Sequence, residues 1–248
     1  MKKSILTIFC VLISLISFSQ LPQYVISNEW ETTDQAKAEK LMNDWKNLIL
    51  EMDENAPRTF LLTEMDGNTI YFCQAFESLA DHEKWEKKWN ENLRPKALKK
   101  FREMNGENAF DGTNTEFVMG HVFKMRPDLS YVPAGMDLME ELPKNTYRRH
   151  VTVDIAWGER GAFEEMQKKQ IQNDIKLKNN YVALMLEPVF GGVDRGDYVM
   201  VILGESRAAY FSGLEERMKK RNADDDWKNM RDKPIGTWIE EESLMITY

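Results

Sequence analysis

Cysteine is nearly absent from this chain: there are two, Cys10 and Cys73, among 248 residues. Cys10 falls inside an N-terminal apolar run, so a processed chain keeps Cys73 alone and forms no intrachain disulfide. A secreted domain without disulfides must rely on the size of its core, and a chain of this length can bury enough apolar surface to do so. Cys73 lies in an apolar strand pattern and reads as a packed thiol. Histidine is almost as rare: His82, His121 and His150 are scattered, and with one cysteine they lack the spacing of a structural zinc site. No metal is expected. A basic surplus is missing too, with 33 Lys and Arg against 41 Asp and Glu and a formal charge of −8. Binding to nucleic acid rests on cations that displace counterions from phosphate, so nucleic acid is not an expected partner. There is no Gly-rich phosphate loop, because Gly191-Gly192 lies in a hairpin rather than between a strand and a helix. No serine-centred nucleophile elbow occurs.

The apolar run Ile5 to Phe18 is shorter than the roughly 20 residues a membrane span needs. Lys2 and Lys3 precede it and Ser17-Phe18-Ser19 follow, the pattern of a secretory signal peptide. Residues 1–19 are therefore expected to be removed, giving an exported product, periplasmic or secreted, without a membrane span.

Beyond the leader, Tyr24 to Glu31 alternates as a strand. Asp34 is placed to cap a helix whose Leu41, Trp45, Leu48, Ile49 and Met52 make one apolar stripe. Thr59 to Met65 and Thr69 to Phe76 flank Asp66-Gly67, a hairpin signal. Ser78 and Asp81 open a second helix with Trp85, Trp89 and Leu93 on one face, and Pro95 should kink it. His82 at its start should be solvated. Phe117 to Met125 closes the set. A stretch with Pro127, Pro133, Gly135 and Pro143 reads as a linker with a short helical turn near Met136 to Leu142. The order then repeats: a strand from His150 to Trp157, a helix from Gly161 to Lys178 with Phe163, Met166, Ile171 and Ile175 inward, strands Tyr181 to Glu187 and Asp197 to Leu203, a helix from Ser206, and a strand from Ser243 to Tyr248. Trp30 and Trp157 end the opening strands of the two halves, and Glu64 and Glu187 end the second strands.

On that pattern the chain resembles the dimeric α/β-barrel superfamily, whose unit is a ferredoxin-like βαββαβ sheet with both helices on one face. The resemblance implies an α+β protein of two repeats, 22–126 and 148–248, joined by a linker at 127–147. It implies antiparallel sheets packed face to face as an intrachain barrel, with a ligand inside. The family spans cofactor-free monooxygenases, haem-degrading and chlorite-dismutase-like enzymes, isomerases and ligand-binding regulators, so the fold narrows the site more than the chemistry.

Alternate strand residues point to opposite faces. Tyr24, Ile26 and Trp30, and Val151, Val153, Ile155 and Trp157, should lie under the helices. That leaves Ser27, Glu29 and Glu31, and His150, Thr152 and Asp154, on the other face. Phe60, Leu62 and Glu64 share one face, as do Ala183, Met185 and Glu187. Tyr71 and Tyr198 can each face either way, because a one-residue slip exchanges faces. Several acids in a hollow require water, basic partners or a polar or cationic guest, since desolvating a carboxylate costs several kcal/mol; they can equally line a solvated rim.

Three functions follow. One is an exported protein binding a small polar molecule, with Thr152, Glu64, Glu187 and His121 in contact with it. A second is a cofactor-free monooxygenase- or isomerase-like enzyme using His150, Asp154 and Glu29 as acid and base groups. The third is a haem protein through His121 or His150, since haem iron takes histidine in an apolar pocket; His121, beside Met119 and Phe123, is also a core histidine satisfied by a neighbour. The chain can be a monomer, or a homodimer through edge strands.

Overall fold

The computed structural model describes residues 21–65, 67–190, 196–230 and 236–245. The expected leader, Asp66 of the first hairpin, the Gly191-Gly192 turn and the last three residues lie outside the described residues. The strands are β1 (Tyr24–Glu31), β2 (Arg58–Glu64), β3 (Thr69–Phe76), β4 (Glu116–Met125), β5 (Tyr147–Ile155), β6 (Ala183–Phe190), β7 (Tyr198–Gly204) and β8 (Gly236–Met245). They are hydrogen-bonded in the order β1-β3-β2-β8-β5-β7-β6-β4, and the ladder closes on itself, giving an α+β protein with an eight-stranded antiparallel closed barrel. No helix among the described residues is long and apolar enough to cross a membrane.

Two compact units can be distinguished. One comprises 22–124 with the described residues of 188–193 and 242–248. Its β1 lies between β3 and β4, with Ser27 opposite Cys73 on one side and His121 on the other. Helix α1 (Gln35–Met52) starts where the Asp34 side chain accepts from the Lys37 N–H at 3.2 Å, satisfying one of the orphan donors of a helix start. Its Ala38 and Met42 pack with Leu61 and Ile70, and Trp30 and Phe72 close over them. Helix α2 (Leu79–Lys88) is capped by Ser78, whose Oγ accepts from the Asp81 N–H at 3.1 Å and donates to its carboxylate at 2.6 Å. Where a kink was expected at Pro95, the structure has a π-helical turn, Trp89–Leu93, ahead of α3 (Arg94–Asn105). Proline has no N–H for the carbonyl four residues back. The ladder steps to a longer ring instead, with the Arg94 N–H bonded to the Trp89 carbonyl. Trp85 and Trp89 stack at 5.8 Å, and Trp45 meets Trp89 edge-on at 5.6 Å, so the tryptophans are a packing stripe. His82 is half-buried against Phe76, with ring centroids 5.0 Å apart, rather than solvated. An edge-to-face aromatic contact of this kind draws the ring onto the apolar surface.

The other unit comprises 125–187 and the described residues of 194–241. Within 127–147 are a short 3-10 turn, Pro127–Leu129, and one helical turn, α4 (Leu138–Glu141). Tyr131 bridges to Ala183 of β6. Leu129, Val153, Phe163, Met185 and Tyr198 form the core beneath α5 (Arg160–Lys176). Ile175, expected inward, is 59% exposed. The buried side chains of α5 include Phe163, Gln167 and Asp174; with Asp174 turned in, the next residue is rotated about 100° round the helix. Trp157 is fully exposed, not under a helix, because β5 ends at Ile155 and the chain turns at Gly158 with φ 84°. Helix α6 (Arg207–Asn222) starts on Ser206, whose Oγ accepts from the Ala209 N–H at 3.1 Å, and α7 (Asp225–Met230) follows.

Candidate functional site

The face of the first unit's sheet that its own helices leave bare is built by register. Cross-strand partners share a face, so one row runs His121, Ser27, Cys73, Phe60 and the next Met119, Glu29, Tyr71, Leu62. Ile26, Trp30, Ile70 and Phe72 turn the other way, into the helix-side core. Tyr71 therefore shares the face of Glu29, whereas Tyr198 is stacked on Phe163 in the helix-side core of the other unit.

Glu29 and His121 meet on that face, with Nε2 3.3 Å from the carboxylate. The His121 side chain is 2% exposed and that of Glu29 is 14% exposed. In the tautomer that carries its proton on Nε2, the ring donates to the Glu29 carboxylate. His121 sits deeper and orients the carboxylate; Glu29 is the partner a guest can reach. Beside it, the Tyr71 hydroxyl donates to Glu64 at 2.9 Å. The turn after β2 passes so close that a Cβ at Gly67 would collide with the Glu64 carboxylate. The Cys73 thiol donates to Ser27 Oγ at 3.4 Å, and burial pushes its pKa up to about 12. It is a packed thiol, not a nucleophile.

In the other unit His150, Thr152 and Asp154 share one face of β5, with Val201 and Val199 of β7 opposite the first two. Thr152 is buried, His150 half-buried and Asp154 exposed. Glu187 is on the opposite face: β6 pairs Met185 with Met200 and Leu186 with Val199, which aligns Glu187 with Tyr198. There it joins Arg126 at 3.0 Å and also contacts Arg160, while Arg126 bonds Glu164 at 3.1 Å and the Tyr198 hydroxyl at 3.1 Å. Burial works against ionising Glu187, but Arg160 and Arg126 outweigh it and hold its pKa below the usual carboxylate range. Burial and the neighbouring Glu164 raise Tyr198 to about 12. The structure thus brings together Glu29 with His121 and Glu64 with Tyr71, and sets Glu187 apart from His150, Thr152 and Asp154. Arg126 and Glu164 were not singled out in the sequence, and the face of Tyr198 was left open there. Their signal is weak: an arginine at a strand end and a glutamate one helical turn after an arginine are common on any surface.

No group of three or more His, Cys, Asp or Glu among the described residues could hold a metal ion. An axial haem ligand presents an open imidazole nitrogen to the iron. His121 directs Nε2 at Glu29 and is nearly inaccessible, so Nε2 as placed is not open to an iron.

No protein-family profile matches the chain, and no curated protein matches it. Solved structures do resemble it. A candidate monooxygenase from Fusobacterium nucleatum superposes with a TM-score of 0.57 at 9% identity, over 92% of this chain and 94% of that one. Another candidate monooxygenase, from Lactobacillus acidophilus, gives 0.52 at 8% identity over 90% and 94%. An anthrone oxidase-like protein gives 0.52 at 12% identity over 92% and 93%. The chain has the fold of these proteins.

Proposed function

We propose that the chain is an exported enzyme built of two ferredoxin-like repeats, in which Glu29 takes a proton from a small hydroxyl-bearing aromatic substrate without a cofactor. The observation that carries this reading is the Glu29–His121 contact of 3.3 Å on the sheet face its helices leave bare. A carboxylate held by a buried donor is oriented for proton transfer. Tyr71 and Glu64 supply a donor and an acceptor for a substrate hydroxyl, and Phe60 and Leu62 give that face an apolar floor. Fold likeness to candidate monooxygenases and an anthrone oxidase-like protein supports the choice of an oxygen-consuming reaction on a hydroxyaromatic carbon acid.

The test is oxygen uptake by the purified chain with a panel of hydroxyaromatic carbon acids. Glu29→Gln keeps the size and loses the base, so uptake should stop while substrate binding persists. His121→Gln should displace the pH profile rather than abolish uptake, as expected of a positioning residue. A ligand that binds equally to both variants and is never turned over would leave a binding protein in place of the enzyme.

A further inference from the structure

The second unit holds a pocket of about 80 Å³ between α5, α6 and the sheet beneath them, and the Arg217 guanidinium lines it. Arg217 is 6% exposed. Its charge rests on two rings, Tyr181 at 4.3 Å and Tyr210 at 5.6 Å, and among the described residues it makes no hydrogen bond or ion pair. The carboxylate in the same pocket is already committed. Asp174, 1% exposed, takes two bonds from Arg221 at 3.0 and 2.5 Å, one from Tyr181 at 2.6 Å and one from Asn179 at 2.6 Å. Two guanidinium groups therefore share the one carboxylate that lines the pocket, and among the described residues no anion bonds directly to Arg217 in this nearly dry place. Burying an uncompensated charge costs several kcal/mol, and burial accordingly lowers the Arg217 pKa. Rings offset only part of that cost, about 2 kcal/mol for a desolvated cation over an aromatic face. The pocket has room for two or three waters at about 30 Å³ each, or for one oxyanion of a few heavy atoms. Gln170 adds a half-buried amide to its wall.

We infer that this pocket is a binding site for a small oxyanion, a phosphate or carboxylate group, with Arg217 as its anchor. A planar guanidinium meets two oxygens of such a group at once, which a lysine cannot do. The site stands apart from the Glu29 reading: it uses none of its residues, and either can fail alone.

Thermal unfolding and calorimetry of the full chain with inorganic phosphate and with acetate, at ionic strength fixed by sodium chloride, test it. Phosphate or acetate should raise the unfolding midpoint saturably where chloride does not, and the anion that acts identifies the class. Arg217→Met keeps the stem and removes the charge, so the anion should bind at least about tenfold more weakly, the loss of one charge-assisted hydrogen bond. Gln170→Leu should weaken binding to a smaller degree and serves if the Arg217 variant does not fold. An equal response to chloride overturns the assignment. So does unchanged affinity in Arg217→Met, or, should that variant not fold, in Gln170→Leu.

Discussion

Glu164 is held well below the usual carboxylate range, at about 2, first by the Arg126 hydrogen bond and then by Tyr198. A carboxyl whose folded pKa is depressed stabilises the fold above its unfolded value and loses that contribution as the pH falls through the folded one. Stability should therefore decline between the ordinary value of 4.5 and about 2. In Arg126→Met, urea unfolding across that window should show a shallower decline; an unaltered pH slope would mean that Arg126 does not hold Glu164. Cys73 gives a second test at the same scale. With its thiol 3% exposed and raised to about 12, it should resist a thiol reagent at pH 8 until the chain is unfolded, since only the thiolate reacts. Labelling of the native protein at the rate of a free thiol would contradict the packing described.

At the scale of the element, the helix starts are the most sharply determined features. Ser78 both accepts from and donates to Asp81, so Ser78→Ala removes a cap and leaves the first turn of α2 with an unmet N–H. The expected cost is about 1 kcal/mol in chemical denaturation, and a change near zero would show that solvent replaces the cap. Asp34, Ser78 and Ser206 were legible in the sequence because a cap is a local rule. The faces of β1 and β5 were legible because alternation is local as well, and so was a break in the regular helix at Pro95, which takes the form of the π-helical turn. What escaped the sequence depends on partners far along the chain. Nothing near Glu187 announces that Arg126 and Arg160 engage it on the helix side. Ile175 looked like the next step of an apolar stripe because nothing local shows that Asp174 turns inward to meet Arg221. Trp157 looked like the counterpart of Trp30, but its strand stops two residues earlier. At the site, Glu29 was placed on the correct face by counting alone. Its contact with His121 needed the register of β1 against β4, which no periodicity encodes.

For the whole molecule, the C-terminal strand matters in a way its position at the end of the sequence conceals. Leu62, Thr63 and Glu64 of β2 pair with Met245, Leu244 and Ser243, and the Met65 N–H donates to the Glu242 carbonyl at 3.2 Å. These last residues group with 22–124 rather than with the stretch just before them. Strand β2, which carries Glu64, is therefore completed by residues from the far end of the chain, and Ser243 at that seam is 1% exposed. Without residues 242–248, β2 keeps β3 on one side and exposes its other edge, with unpaired N–H and C=O groups and the apolar Leu62 beside them. The shortened chain should unfold at a lower temperature than the full one and self-associate on size-exclusion chromatography. Any ligand bound through Glu64 and Tyr71 should be held more weakly. A fragment of 22–126 alone should show the same defects, because it lacks the same partner strand. A truncated chain that stays monomeric with an unchanged unfolding midpoint would show that β8 is dispensable to β2, and that 22–126 completes its own sheet.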